Sequence, residues 1–489
     1  MLRLRRPRPL FPVEDRSGEN LSHHRFNCSH KSLSWRLRRH RPRRENERGY
    51  GAIVSLRQRL RETLTSDLFS HGYVLVANQI LSSGLGLLYW AVAARLLLPA
   101  EIGLASSTIS GIVLLGMIAE LGITVALTRY TAQVGQSFRR FAATCYALNI
   151  AAGILVWSVM TATGLMNFMI PELSGNHLPV LGAIICSTLF YVQDGVLAAR
   201  RRTWLILAKN LSYNLAKLAL LVALTQLGMG HAVVLSWFAP LPFFIVAIGL
   251  IVFSRRLHAR AIETHDREST ANYRQVVSVV GFDYLGGLLN EAATRLLPLI
   301  VLNRLGAAEA AFFFQGWLIA NTISLASTSF VTSFVVTVAA APDKLLSYAR
   351  RSLGLLVLLV AVAVAMLILV APLLLALLGK AYVENSITIL RLLAVSSIPA
   401  AVNIWFIAFA RLRNWGRSIT INYATQGMLT IAGALLLAPW LGLAGVGLAC
   451  ILGQIGAMLQ TLSAVALVLA KPAEPAHDPA PQLREADGS

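Results

Sequence analysis

Two charged residues, Glu291 and Arg295, stand four positions apart in a stretch of the chain that is otherwise apolar. Residues at positions i and i+4 are neighbours on the surface of an α-helix, so this carboxylate and this guanidinium can pair along one face. Asn290 lies beside them. Pro298 follows and removes a backbone donor, which predicts a kink in the same helix.

A second group of polar residues falls on two other apolar segments. Asn210, Asn214 and Lys217 are separated by steps of four and three, so they share one helical face. Asn78 and Tyr89 belong to a similar stripe that also contains Ser82 and Gly86. Such a stripe either lines a cavity or packs closely against another helix, and the asparagines fit both interpretations. For Lys217 and Arg295 the pattern favours a cavity, because a buried cation needs an anion.

The remaining charges inside apolar segments divide into two sets. Glu120 and Asp283 are candidates for coupling to an ion. Lys209, Asp194 and Arg391 are interpreted as charges at the ends of segments, where long side chains reach the polar interface.

No residue pattern typical of an enzyme is found in the sequence. The histidines lie in the N-terminal tail or at segment ends, without metal-ligand spacing. A phosphate-binding Gly-Lys-Ser/Thr loop and a nucleophile elbow are also absent from the sequence. We therefore predict no enzyme activity, no metal and no cofactor.

The elements that carry these residues are predicted from composition. Of 489 residues, 56% are hydrophobic and only 13% are charged, and the mean hydropathy is +0.63. An ordinary soluble protein has about a quarter charged residues, so a cytosolic enzyme is excluded. Apolar windows of about 20 residues, the length that crosses a bilayer, recur twelve times between residues 72 and 469; the last two are predicted at 418–438 and 443–469. The fold class is an all-α polytopic membrane protein with twelve transmembrane helices.

Charge in the loops predicts the orientation of these helices. Basic residues concentrate in alternate loops, whereas the other loops hold only Arg95, Arg304 and Lys380. Because loops rich in Lys and Arg stay in the cytoplasm, both termini are predicted to be cytoplasmic.

The N-terminal tail holds most of the excess positive charge. The whole chain carries +20, and residues 1–61 contribute 17 basic residues against five acidic ones. This segment lacks apolar periodicity and is predicted to be a disordered basic tail. We interpret it as an untethered extension in preference to an arm for anionic lipids or nucleic acid, and no nucleic-acid partner is predicted.

Two pairs of similar strings indicate an internal repeat. Residues 94–96 resemble residues 303–305, and residues 199–204 resemble residues 410–415, at offsets of 209 and 211 positions. Two six-helix units in parallel orientation would place a substrate site at their interface near mid-membrane. The predicted domains are a tail at 1–61, bundles at 62–253 and 275–470, a cytoplasmic linker at 254–274 and a disordered cytoplasmic tail at 471–489.

The first two predicted helices carry a family resemblance. The residues are Asn78-Gln79, Gly84, Tyr89-Trp90, Ala94-Arg95-Leu96 and Pro99-Ala100-Glu101-Ile102-Gly103, followed by Leu121-Gly122 and Ala126-Leu127-Thr128-Arg129-Tyr130. This stretch resembles bacterial polysaccharide-biosynthesis membrane proteins, the O-antigen or oligosaccharide flippases of the multidrug/oligosaccharidyl-lipid/polysaccharide (MOP) exporter superfamily, which includes the MATE transporters. The similarity is local to about 60 residues, and the twelve-helix plan extends it over residues 62–470.

The resemblance implies a V-shaped pair of bundles in the bacterial plasma membrane. It also implies a function: moving undecaprenyl-pyrophosphate-linked sugar repeat units from the inner to the outer leaflet for surface polysaccharides such as lipopolysaccharide O-antigen. The expected partners are the lipid-linked oligosaccharide, membrane lipids, a polysaccharide polymerase and glycosyltransferases. Lys217 and Arg295 are candidates chosen from the residues themselves and not carried over from a family motif.

Three other classes of membrane protein are alternatives to this flippase. A cation-coupled multidrug exporter of the same superfamily would need an acidic cavity, to which Glu120, Asp283 and Glu291 could contribute. A major-facilitator carrier is disfavoured because the 129–140 loop lacks the Gly/Asp/Arg-rich signature of that class. A membrane glycosyltransferase is disfavoured because the predicted outer loops are short.

Overall fold

The computed structural model describes residues 67–124, 126–127, 138–170, 177–254, 273–340, 345–413 and 415–470. The predicted tails, most of the linker and the loop at 128–137 lie outside these residues. Within the described part the chain is helical and without strands. The helices are α1 (Asp67–Leu96), α2 (Pro99–Glu120), α3 (Phe138–Ala162), α4 (Leu165–Met169), α5 (Leu178–Ala199), α6 (Thr203–Gln226), α7 (Ala232–Phe238), α8 (Leu241–Phe253), α9 (Tyr273–Leu305), α10 (Ala307–Ala340), α11 (Leu345–Leu378), α12 (Lys380–Leu412) and α13 (Gly416–Ala470).

Eleven helical stretches of the described chain are long and apolar enough to cross a membrane. They match the twelve predicted segments because α13 contains the last two. Gly442 interrupts α13 with φ 57° and ψ −138°, three residues after Pro439. The two arms fold back on each other, since a Cβ at Gly433 would lie 2.9 Å from the Cβ of Ala449. The all-α polytopic prediction is confirmed.

We call α1–α8 the N-terminal half and α9–α13 the C-terminal half. The division of these helices into two independent bundles remains a prediction. The turns at residues 97–98, 306 and 379 lie near one another, because Gly103 packs on Ala307 and Arg95 bonds to Leu377; we call this the short-turn end.

The halves meet closely at the short-turn end, where α2 crosses α9 and α10. Gly103 of α2 lies so near the start of α10 that a Cβ there would sit 1.7 Å from the Ala307 carbonyl oxygen. Ser107 donates to the carbonyl oxygen of Pro298 at 3.1 Å, and the Trp90 and Phe314 rings pack edge to face with centroids 4.6 Å apart. A continuous apolar core therefore joins the halves at this end.

Local sequence explains how α2 is placed there. Pro99 occupies the first turn, where its missing N–H costs nothing, and Glu101 accepts the Leu98 N–H at 3.0 Å. Small residues follow, and Ser106, Ser107 and other hydroxyl residues of α2 are buried. A helix with small side chains lets neighbouring backbones approach closely, so α2 can occupy the centre of the molecule.

Candidate functional site

A polar cavity of about 770 Å³ lies in the C-terminal half, enclosed by α9, α10, α12 and α13. Glu291 and Arg295 of α9 belong to its wall. Arg295 precedes the end of α9 by ten residues, roughly 15 Å at the rise of an α-helix, which is about half the thickness of a bilayer core. The cavity also reaches Arg411 and Leu412, the last residues of α12, at the end opposite the short turns.

Glu291 and Arg295 form the ion pair that their spacing predicts. The Arg295 Nη2 lies 3.6 Å from the Glu291 Oε2, and the two side chains are 29% and 40% exposed. The predicted i, i+4 pairing is confirmed. Glu291 is the only acidic residue among the described residues that line the cavity, so its charge is already balanced by Arg295.

One face of α10 supplies a polar stripe that the sequence analysis missed. The stripe consists of Trp317, Asn321, Ser324, Thr328 and Thr332, which all line the cavity. Their separations of four, three, four and four residues place them on one helical face. The spacing of these residues is visible in the sequence, but the face carries no charge that would mark it as functional.

Amide side chains form the opposite walls. Gln426 of α13 donates to the Oδ1 of Asn290 at 3.3 Å, which ties α13 to α9. Asn403 of α12 donates to the Oε1 of Gln454 at 2.9 Å and ties α12 to the second arm of α13. All four amide residues belong to the lining of the cavity.

Lys217 lies in the N-terminal half, and it is not among the residues that line this cavity. Its side chain is buried at 3% exposure, with the Nζ 3.8 Å from the centre of the Trp237 ring and 5.0 and 5.4 Å from the Tyr89 and Tyr213 rings. Tyr89 is itself fully buried, and its hydroxyl lies 2.7 Å from that of Ser236. Within the described part of the chain, the ammonium has cation–π contacts and no ion pair. The structure therefore does not bring Lys217 and Arg295 together.

Asn78 and Asn210 join two helices of the N-terminal half. Asn210 of α6 donates to the Oδ1 of Asn78 in α1 at 3.2 Å, and Asn214 donates to the Asn210 carbonyl oxygen at 2.7 Å. The Asn210–Asn78 bond is a contact between two helices, whereas the Asn214 bond lies within α6, and the assignment of these asparagines to a substrate site remains a prediction.

Lys209 and Asp194 form a buried ion pair that the sequence analysis did not predict. The Lys209 Nζ lies 2.6 Å from the Asp194 Oδ1 and also donates to the Phe190 carbonyl oxygen at 2.6 Å. The Lys209 side chain is fully buried, so its interpretation as an interfacial charge was wrong. Fifteen residues separate the partners, and only the packing of α5 on α6 brings them together.

The two ion-coupling candidates differ in what the structure describes. Glu120 ends α2 and accepts the backbone N–H groups of Gly122 at 3.0 Å and Thr124 at 2.6 Å, so its carboxylate closes the turn that follows the helix. Asp283 lies within α9, but its side chain is outside the described residues.

Comparisons with known proteins identify the fold. No family model matches the chain, and the search of curated proteins finds no match. Among solved structures, the lipid II flippase MurJ in an inward closed conformation aligns with a TM-score of 0.60 at 13% identity, covering 82% of this chain and 87% of that one. A multidrug resistance MATE family transporter of the MOP superfamily, in its inward-facing conformation, aligns at 0.58 and 15% identity over 80% of this chain and 95% of that chain. The chain has the fold of MOP-superfamily transporters.

A third solved structure concerns the charge of the binding pocket in proteins with this fold. It is a MOP superfamily transporter from Pyrococcus furiosus, which aligns at a TM-score of 0.53 and 15% identity over 82% of this chain and 93% of that one. Its description states that the reverse polarity of its binding pocket suggests a different function. Proteins with this fold thus differ in pocket charge, and the substrate has to be argued from the residues of each chain.

Proposed function

We propose that this protein is a membrane transporter that flips undecaprenyl-pyrophosphate-linked oligosaccharide repeat units across the bacterial plasma membrane by alternating access. The supporting fold is that of MOP-superfamily transporters, and the supporting site is a polar cavity at membrane depth. Sugars and pyrophosphate cannot cross hydrocarbon unaided, because their polar groups would lose hydration without replacement. A polar cavity replaces that hydration while the lipid tail stays in the bilayer.

The substrate class is inferred mainly from the charge of the residues that line the cavity. Glu291 is the only acid among the described lining residues, and it is paired with Arg295. An exporter of organic cations needs an unbalanced acidic wall, whereas this wall suits an uncharged or anionic group. The cation-coupled multidrug exporter is the second candidate, favoured by the likeness to MATE transporters.

Orientation and partners belong to the same proposal. The basic loops predict that both termini are cytoplasmic, and the short-turn end would then face outward. The close packing at Gly103 and Ala307 then corresponds to a state closed to the outside, with the cavity reaching toward the cytoplasm. The substrate would be received from glycosyltransferases on the inner leaflet and delivered to a polymerase.

Deletion of the gene in its host tests the function. We expect loss of surface polysaccharide and accumulation of lipid-linked repeat units on the cytoplasmic side. Normal polysaccharide together with raised sensitivity to cationic drugs would instead support the exporter.

Complementation with point variants tests the proposed cations. Arg295→Ala and Lys217→Ala should impair complementation although the protein still inserts. Lys380→Ala is the matched control, because Lys380 is 91% exposed and is not among the residues that line the cavity. Full activity of both variants would contradict the assignment of these cations to transport.

A further inference from the structure

The cavity of the C-terminal half combines hydrogen-bond acceptors on one wall with donors on another. On α10, Thr328 donates its hydroxyl proton to the Ser324 carbonyl oxygen at 2.9 Å, and Thr332 donates to the Thr328 carbonyl oxygen at 2.8 Å. A hydroxyl group has one proton and two lone pairs, so the oxygens of these two lining residues keep their capacity to accept. Ser396 of α12 behaves in the same way, donating to the Leu393 carbonyl oxygen at 2.7 Å.

Amides supply the donors. Gln454 accepts the Asn403 amide through its Oε1, which leaves its own two N–H donors to the cavity within the described part of the chain. Asn321, about two turns from Thr328 on the α10 stripe, adds another amide to the lining. An anion uses donors only and a cation uses acceptors only. A wall that offers both matches a ligand whose groups donate and accept at once, as the hydroxyls of a sugar do.

The volume of the cavity and an aromatic side chain in its lining also suit a sugar ligand. The volume of about 770 Å³ falls within the range of sites that hold drug-sized ligands, which a short oligosaccharide resembles. Trp317 begins the α10 stripe and presents an aromatic surface on which the C–H face of a sugar ring can pack. The Glu291–Arg295 ion pair of the wall is internally balanced, so this pair does not require a charged ligand.

We propose that this cavity is the subsite for the sugar portion of the substrate, and that the α10 stripe with Asn403 and Gln454 recognises neutral, polyhydroxylated rings. This inference rests on the proposed function. It specifies which part of the substrate the C-terminal half binds. It separates recognition of the sugar from recognition of the lipid diphosphate.

The test measures binding by the full-length protein in lipid nanodiscs. The probes are undecaprenyl pyrophosphate bearing a disaccharide of N-acetylglucosamine and the same lipid pyrophosphate without sugar. The variant Asn321→Leu/Thr328→Val keeps the shape of the wall and removes two polar groups. The matched control is Thr322→Val/Ser329→Ala, on the same helix but outside the cavity lining, where both hydroxyls bond to helix carbonyl oxygens.

We expect the cavity variant to bind the sugar-bearing lipid about tenfold more weakly, as the loss of two hydrogen bonds predicts, and to bind the sugar-free lipid unchanged. The control should bind both lipids like the parent protein. Equal weakening for both lipids, or no weakening, would overturn the sugar subsite. If the parent protein binds ethidium but neither lipid, the proposed function itself fails. If it binds both lipids equally, the function stands and the sugar subsite is wrong.

Discussion

Arg95 and Leu377, which lie on opposite halves of the molecule, are joined by a hydrogen bond of 2.7 Å from the guanidinium Nε to the carbonyl oxygen. The Nη2 of the same guanidinium donates to the Ala376 carbonyl oxygen at 2.8 Å. These carbonyls belong to the last turn of α11, where the final C=O groups of a helix lack partners within the helix and carry partial negative charge. Arg95 therefore caps α11 and holds it against the end of α1.

The first prediction concerns this contact. Arg95→Gln removes the charge and weakens both bonds, and because Arg95 is exposed we expect a loss of only about 1 kcal/mol, or about fivefold in the population of the closed short-turn end. Spin labels at Leu98 and Ala381, both exposed, would report the change as a growing long-distance component. Lys380→Gln is the control, since it loses only an exposed pair with Glu384 within one half. An unchanged distance distribution in Arg95→Gln would show that the cap does not hold the halves together.

The second prediction concerns Gly103. A methyl group at this position would collide with the backbone of Ala307, which cannot move without shifting α10. We expect Gly103→Ala to lower the free energy of unfolding by about 1–3 kcal/mol, the usual cost of overpacking, or to separate the halves at this end. Thermal unfolding and the same pair of labels distinguish the two results.

Gly84→Ala is the control for that substitution, because a Cβ at Gly84 meets no atom within 4 Å. It should leave both measurements unchanged. A Gly103→Ala protein with parental stability and parental label distances would contradict the packing described at this crossing.

The third prediction concerns Lys209 and Asp194, whose side chains differ in exposure. Lys209 is fully buried, whereas Asp194 is 27% exposed. Asp194→Leu leaves a buried ammonium without its anion, and breaking a buried pair in this way costs about 3–5 kcal/mol. Lys209→Met leaves a carboxylate that is partly exposed and not fully buried, so we expect a smaller loss.

The double variant Lys209→Met/Asp194→Leu should recover most of the stability lost in Asp194→Leu, because no uncompensated charge remains. Thermal unfolding of the four proteins in one detergent measures the coupling. Simple additivity of the two single losses would show that the ion pair contributes no interaction energy.

The sequence alone predicts structural features that depend on residues close together along the chain. The apolar segments, the break between 438 and 443 and the Glu291–Arg295 pair all follow from local composition or from i, i+4 spacing, and the structure confirms them. The structure also shows what could not be predicted, because those features depend on which helices pack together. Lys209 meets Asp194 only through the contact of α5 with α6, and Arg95 reaches α11 across 281 positions.

The same limit applies to the candidate site. Stripes on α6 and α10 have similar spacing, yet Asn210 of α6 bonds to another helix whereas Asn321 of α10 faces a cavity. A single sequence shows that a helix has a polar face. It does not show whether that face contacts another helix or lines a cavity. For Lys217, the aromatic residues of its surroundings come from α1, α6 and α7, so its aromatic contacts also needed the tertiary structure.

The last prediction concerns Gly442, where α13 reverses direction. Its φ of 57° combined with a ψ of −138° lies in a region that residues with a Cβ rarely adopt. We expect Gly442→Ala to cost about 1–3 kcal/mol, because the alanine must either accept strained backbone angles or straighten the chain and separate the two arms. Gly354→Ala in α11 is the matched control: that glycine has ordinary helical geometry and open space around its Cα, so alanine there should be neutral or slightly stabilising. Thermal unfolding of both variants measures the difference, and equal stability would mean that the reversal does not depend on the positive φ of Gly442.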